Sequence, residues 1–256
     1  VFGEDVRHIL PTITPGGSAV PVTVSVPGQN GWVRFEATAG QRVYAKATNN
    51  TIASGYLWLL KPDGTELTHS TNFAPLDVFL PVSGTYALVV DPIGANTGSI
   101  TLTLYSVVDL IGTITPNGGA ISVALTQIGA NGWLYFPGST GQRVSLVLTG
   151  STISSGLVWI IKPDGSSLTY SSFGTQGIFL EPVMLPVSGT YAVAVDPTGE
   201  TTGNATVSLY NVPADVTGSI AINGSALGVT LSTPGQNASV TFPGNAGQLV
   251  TVHVTT

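Results

Sequence analysis

Three histidines, His8, His69 and His253, and two pairs of aspartates, Asp63/Asp164 and Asp91/Asp196, are the residues from which a reactive centre would have to be built. Hydrolytic or transfer chemistry needs a nucleophile with its base, or two carboxylates held across a cleft. The histidines occupy non-equivalent places and none recurs at a counterpart position, which points to surface or strand-edge residues. No Gly-x-Ser-x-Gly turn is present to strain a serine into a nucleophile. The aspartates sit in Pro-Asp-Gly and Val-Asp-Pro, contexts in which a carboxylate caps a turn by accepting backbone hydrogen bonds, with a cation site as the second reading. Gly16-Gly17 and Gly118-Gly119 lack the lysine and following helix of a phosphate cradle. No catalytic, cofactor-binding or metal-ligating residue is assigned, and the expectation is a protein that is not an enzyme and carries no cofactor.

The aromatic residues carry a stronger signal. In Trp32-Val33-Arg34-Phe35-Glu36, Val33 and Phe35 share one face, and the charged pair marks the face of Trp32 as the outer one. The later stretch Trp133-Leu134-Tyr135-Phe136 repeats the arrangement with Trp133 and Tyr135 outward. A third version puts Ser239 and Thr241 outward and Val240 and Phe242 inward. Trp32, Trp133 and Tyr135 are therefore candidate contact residues, with three readings: cover by a neighbouring loop, contact with protein, or stacking on sugar rings. Tyr56, Trp58 and Leu60 alternate with Leu57 and Leu59, and Leu157, Trp159 and Ile161 with Val158 and Ile160, so both faces of these strands are apolar. One face belongs to a core. Either a long loop such as residues 65–80 or another subunit must cover the other, which makes Tyr56, Trp58 and Trp159 candidates for an assembly face.

The elements that position these residues come as a repeat. Gly31-Trp32 recurs as Gly132-Trp133 and Lys61-Pro62-Asp63-Gly64 as Lys162-Pro163-Asp164-Gly165; Pro81-Val82-Ser83-Gly84-Thr85-Tyr86 recurs as Pro186-Val187-Ser188-Gly189-Thr190-Tyr191. A third copy opens at Asp215, with Gly235-Gln236-Asn237 and Gly247-Gln248-Leu249-Val250. The expected organisation is one repeat over 1–107, a second over 108–213 and the first half of a third over 214–256. Val20, Val22, Val24 and Val26 alternate with small polar residues, and Ile100, Leu102 and Leu104 with threonines, the period of strands buried on one side. With 32 Gly and 17 Pro in 256 residues, long helices are disfavoured. Each unit reads as about eight antiparallel strands in two packed sheets, so the fold class is all-β: tandem β-sandwiches of jelly-roll or Greek-key type. The linkers, 105–109 and 210–215, are short and lack a Gly/Ser run, which predicts closely held units.

Charged residues make up only 8% of the chain, against about 25% in ordinary soluble proteins. A surface of Thr, Ser, Asn and Gly packs against a neighbour with few ions to desolvate. Seven Lys plus Arg against 13 Asp plus Glu give a net charge of −6, with no basic run for a phosphate backbone, so no nucleic-acid partner is expected. No apolar stretch is long enough for a membrane-spanning helix. The absence of cysteine excludes disulfides, thiolate catalysis and cysteine zinc sites. A start at Val1 without methionine or secretion signal suggests a processed product or an excised piece.

The succession Ala-Gly-Gln-Arg-Val from Ala39, Lys-Pro-Asp-Gly from Lys61, Ser-Gly-Thr-Tyr from Ser83, Val-Asp-Pro from Val90 and Thr-Leu-Tyr from Thr103 resembles the bacterial pre-peptidase C-terminal domain. The likeness covers both full copies and the opening of the third. It implies a β-sandwich without catalysis of its own, appended to secreted hydrolases or repeated along long secreted or surface proteins. Relatives that bind calcium cluster acidic residues, whereas Asp63 and Asp91 stand singly here.

The 42 residues from Asp215 would leave an apolar face with Leu231, Val240, Phe242, Val250 and Val252 bare. Two accounts are open: a longer array, which is favoured, or strands supplied by another molecule, with residues 1–10 as candidate donor. The expectation is a structural segment or subunit of an extracellular bacterial fibre, filament or surface stalk, whose partners are copies of itself or further repeats. Leu231 and Phe242 join the candidate assembly face. A carbohydrate-binding accessory module of a secreted hydrolase, with glycans as partners, is the alternative.

Overall fold

The computed structural model describes residues 7–9 and 12–255. The described residues contain strands and turns and no helix. The chain divides into two compact units, one running to Asp109 and including Thr126–Ala130, the other made of Leu110–Leu125 and the residues from Asn131 onward.

The strands of the first unit are β1 (Arg7–Ile9), β2 (Val20–Val24), β3 (Asn30–Ala37), β4 (Arg42–Thr48), β5 (Gly55–Leu60), β6 (Glu66–Thr71), β7 (Leu76–Phe79), β8 (Gly84–Pro92) and β9 (Gly98–Val107). They form two sheets, in the orders β1-β3-β8-β5-β6 and β2-β9-β4-β7. Alternation along β3 sends Val33 and Phe35 inward, fully buried, and leaves Arg34 and Glu36 exposed. Facing them, Val22, Val43, Ile100 and Leu102 of the second sheet close the core.

The second unit repeats this plan with β10 (Leu110–Thr113), β11 (Ile121–Leu125), β12 (Gly132–Gly138), β13 (Arg143–Thr149), β14 (Gly156–Ile161), β15 (Ser167–Phe173), β16 (Ile178–Met184), β17 (Gly189–Pro197) and β18 (Gly203–Asn211). Its sheets run β10-β12-β17-β14-β15 and β11-β18-β13-β16. Beyond them β19 (Val216–Ser219) and β20 (Ala238–Thr241) form a two-stranded sheet.

Two details depart from the sequence reading. Each full copy of the repeat has nine strands among the described residues, and the first is parallel to its neighbour: β1 to β3, β10 to β12, and likewise β19 to β20 in the third copy. The reason is a crossover: β2 and β11 belong to the opposite sheet, so the chain leaves and returns in its original direction. Residues 65–80, expected as a covering loop, instead supply β6 to one sheet and β7 to the other. Of the proposed donor stretch 1–10, Arg7–Ile9 is paired within the first unit and the other residues lie outside the described ones.

The repeated motifs are turn and corner chemistry. In Lys-Pro-Asp-Gly the amide of Gly64 donates to the Lys61 carbonyl at 2.9 Å, with Gly64 at φ 79° where a side chain would be strained. In Ala-Gly-Gln and its variants the side-chain oxygens of Gln41, Gln142 and Gln248 accept the amides of Thr38, Ser139 and Asn245 at 3.0–3.2 Å. The arginine that follows binds acids: Arg42 forks onto Asp77 at 2.6 and 2.8 Å and reaches Asp109 at 2.8 Å, while Arg143 reaches Asp215 at 3.0 Å. In the third copy Leu249 takes the place of that arginine and is 99% exposed.

Candidate functional site

Asp63, Asp91, Asp164, Asp215 and His69 are engaged in structural contacts. Asp63 Oδ1 accepts the amide of Thr65 at 2.9 Å and its hydroxyl at 2.6 Å; Asp164 does the same with Ser166. These bonds hold both carboxyls below their ordinary range, the hydroxyl acting most strongly, then the amide. Asp215 is lowered by the Arg143 guanidinium and the Asn237 amide. Asp91, expected to cap a turn, lies instead in β8 and accepts the indole N–H of Trp58 at 3.1 Å. Turned so that its nitrogen faces this carboxylate, the Asn30 amide donates to it at 2.9 Å. His69 lies 2.6 Å from Glu66 and stacks on Trp58 with ring centres 4.2 Å apart. His253 is exposed, and the side chain of His8 lies outside the described residues. Among the described residues no three metal-ligating side chains converge.

What the structure does bring together is the aromatic residues. Register places Trp32, Val89, Trp58 and His69 in one row across β3, β8, β5 and β6. The second unit has the matching row Trp133, Ala194, Trp159 and Tyr170 across β12, β17, β14 and β15. Both rows lie on the outer face, opposite the sandwich core, and all four tryptophans are half-buried. In the first unit Val89 is fully buried in a small outer cluster with Leu60 and Ala87, against which Trp32 and Trp58 pack. Tyr56 lies against Trp58 with ring centres 5.6 Å apart.

The second unit fills its row differently. Ala194 carries two fewer carbons than Val89, and a cavity of about 280 Å³ opens over it, lined by Trp133 and Trp159. Tyr170, 58% exposed, stacks on Trp159 at 4.4 Å and 28°. Asn131, Ser167 and Asp196 supply the polar part of the lining. Tyr135 is exposed two residues further along β12 and is not among the residues lining this cavity. Sequence reasoning placed Trp133 with sugar or protein contacts and Trp159 with assembly; their convergence follows from strand order, for which no local signal exists.

The assembly-face candidates of the third copy are open to solvent. Leu231 is 52% and Phe242 43% exposed, and Val240, Val250 and Val252 are exposed as well. Their counterparts in the full units are sealed, Val33 and Phe35 in the first, Leu134 and Phe136 in the second.

No protein-family model matches this chain, and no curated protein matches it. Three solved structures are loosely similar to parts of it. The periplasmic inhibitor of g-type lysozyme from Aeromonas hydrophila, PliG, is 15% identical over 40% of this chain and 99% of that one, with a TM-score of 0.29. The CUB1-EGF-CUB2 domains of rat MASP-1 are 8% identical over 78% of this chain and 100% of that one, at 0.24. The PBSX exported protein XepA is 10% identical over 75% and 86%, at 0.24. Scores this low carry no argument about function. No helix among the described residues is long and apolar enough to cross a membrane.

Proposed function

We propose that this protein is a non-catalytic structural component, a tandem β-sandwich segment or subunit of an extracellular bacterial fibre, filament or surface stalk. The observation that carries the reading is the repetition of one sandwich plan in tandem, β1–β9 and then β10–β18, with the opening of a third copy at β19 and β20. Phe35 and Phe136 are 1% exposed, whereas the matching Phe242 is 43% exposed. Leu231, Val240, Phe242, Val250 and Val252 are 38–73% exposed, so sealing them, at about 1.5–3 kcal/mol for a fully exposed side chain, amounts to roughly 5 kcal/mol of gross hydrophobic gain. In both full units the strand matching β20 lies between two neighbours, β1 and β8 or β10 and β17. Among the described residues β20 pairs with β19 alone. A strand with the pattern of Gly84–Pro92 would fill the place, adding main-chain hydrogen bonds to the apolar contacts.

The segment that fills it belongs, on this reading, to a further repeat of the same kind or to another copy of the chain. The similarity to pre-peptidase C-terminal domains, repeated along secreted and surface proteins, agrees with it, as does a surface with few charges. Negative-stain and cryo-electron microscopy of the native material test it. Elongated particles with a repeating sandwich spacing are expected; compact monomers at every concentration would overturn it.

A further inference from the structure

We propose that the outer face of the second unit is a carbohydrate site that takes one neutral hexopyranose ring of a polysaccharide between Trp133 and Trp159. The two tryptophans flank Ala194 in register, so their backbones stand two strand spacings apart, about 10 Å. A flat ring fits between side chains at that separation, and the cavity of about 280 Å³ is at the lower edge of the roughly 300–1,000 Å³ of small-ligand sites. A pyranose has apolar C–H faces and a rim of hydroxyls. Indoles suit the faces. Asn131, which can donate and accept, the Ser167 hydroxyl and the Asp196 carboxylate suit the rim.

Charge narrows the ligand further. Asp196 is the one charged side chain in the lining and no cation is among the lining residues, which disfavours phosphates and acidic sugars. A quaternary ammonium group would suit indoles and a carboxylate, but the group itself offers no hydrogen-bond donor to Asn131 or Ser167, whereas a pyranose presents several hydroxyls. The first unit is the internal comparison. There the same row carries Val89, fully buried in the cluster against which Trp32 and Trp58 pack, and the cavity of about 230 Å³ beside Trp32 is lined by Arg34 and Lys61 and not by Trp58 or Val89. The site lies over the central-strand position at which the two rows differ by two carbons, Ala194 against Val89. It is independent of the assembly reading, since none of its residues lies in the open face of 216–255.

Affinity electrophoresis of the full chain through gels containing neutral soluble glucan, mannan, galactan or xylan tests the proposal, with choline chloride as a competitor. Retardation by at least one hexose polysaccharide is expected. It should weaken at least tenfold in Trp133→Ala, in Trp159→Ala and in Ala194→Val, which installs the first unit's residue, and stay unchanged in Trp32→Ala. Ala194→Val is checked by its thermal unfolding; if it does not fold, the half-buried Trp133→Ala decides. No retardation by any hexose polysaccharide, undiminished retardation in Trp133→Ala, or displacement by choline would each overturn the proposal. Loss of self-association rather than of retardation in Trp133→Ala would assign the groove to a protein contact and overturn it too.

Discussion

The hydroxyl of Tyr86 donates to the carbonyl of Val82, four residues earlier, at 2.7 Å, and accepts the Val82 amide at 3.3 Å. The second unit repeats the corner with Tyr191 and Val187 at 2.7 and 3.4 Å. Both rings are fully buried and stack on Phe35 and Phe136 at 5.6 Å. The motif Pro-Val-Ser-Gly-Thr-Tyr thus joins a core aromatic to the turn that leads into its own strand. Removing only the oxygen isolates this function from packing. Tyr86→Phe is expected to lower unfolding free energy by about 1 kcal/mol, and Tyr191→Phe by a similar amount, measured by urea denaturation. An unchanged midpoint in both would mean that the corner adds nothing beyond the ring.

Gly156 opens β14 beneath Phe173. A Cβ there would stand 2.6 Å from Phe173 Cζ and 2.9 Å from the Asp196 carbonyl oxygen. The backbone of β17 cannot move aside without breaking its pairing with β14. Gly156→Ala should therefore cost about 1–3 kcal/mol or more through overpacking. At Gly119 a Cβ meets nothing within 4 Å, so Gly119→Ala serves as the neutral control. Equal thermal midpoints for the two variants would contradict this account.

Faces were legible in the sequence because period-two alternation acts locally: Val33 and Phe35 go inward and Arg34 and Glu36 outward, as their chemistry dictates. Neighbours were not. Trp133 and Trp159 meet over Ala194 because β17 inserts between β12 and β14, and alternation sets which way a residue points without setting which strand lies beside it. The same limit hid the indole bond of Trp58 to Asp91, which joins residues 33 apart. Residues 66–71 read as loop because a half-exposed edge strand of Thr, His and Ser has little apolar contrast to display.

The lowered carboxyls make a prediction in acid. Asp164 favours its charged form in the folded protein, so its folded pKa lies below the ordinary 3.8. The stabilisation it contributes is complete above that ordinary value and is lost as pH falls through the lowered one. Carbon-13 titration of the Asp164 carboxyl should give a midpoint below 3.8. Since the Ser166 hydroxyl acts most strongly and Lys162 only weakly from 3.7 Å, Ser166→Ala should move the midpoint back further than Lys162→Ala. The reverse order would mean that charge, and not hydrogen bonding, sets the shift.

Phe136 and Phe242 occupy matching places in successive copies, yet one is 1% and the other 43% exposed. Truncating Phe136 removes a packed ring and its stack on Tyr191, so Phe136→Ala should cost about 3–5 kcal/mol in the isolated chain. Phe242 has less packing to lose, and Phe242→Ala should change unfolding of the isolated chain by less than about 1 kcal/mol. Its effect belongs to the assembled state, where the ring would meet the strand that pairs with β20. Sedimentation velocity across a concentration series should show the wild type forming larger species and Phe242→Ala remaining monomeric. If Phe242→Ala destabilises the isolated chain as much as Phe136→Ala does, the ring is already packed and the open face is not the surface through which copies join.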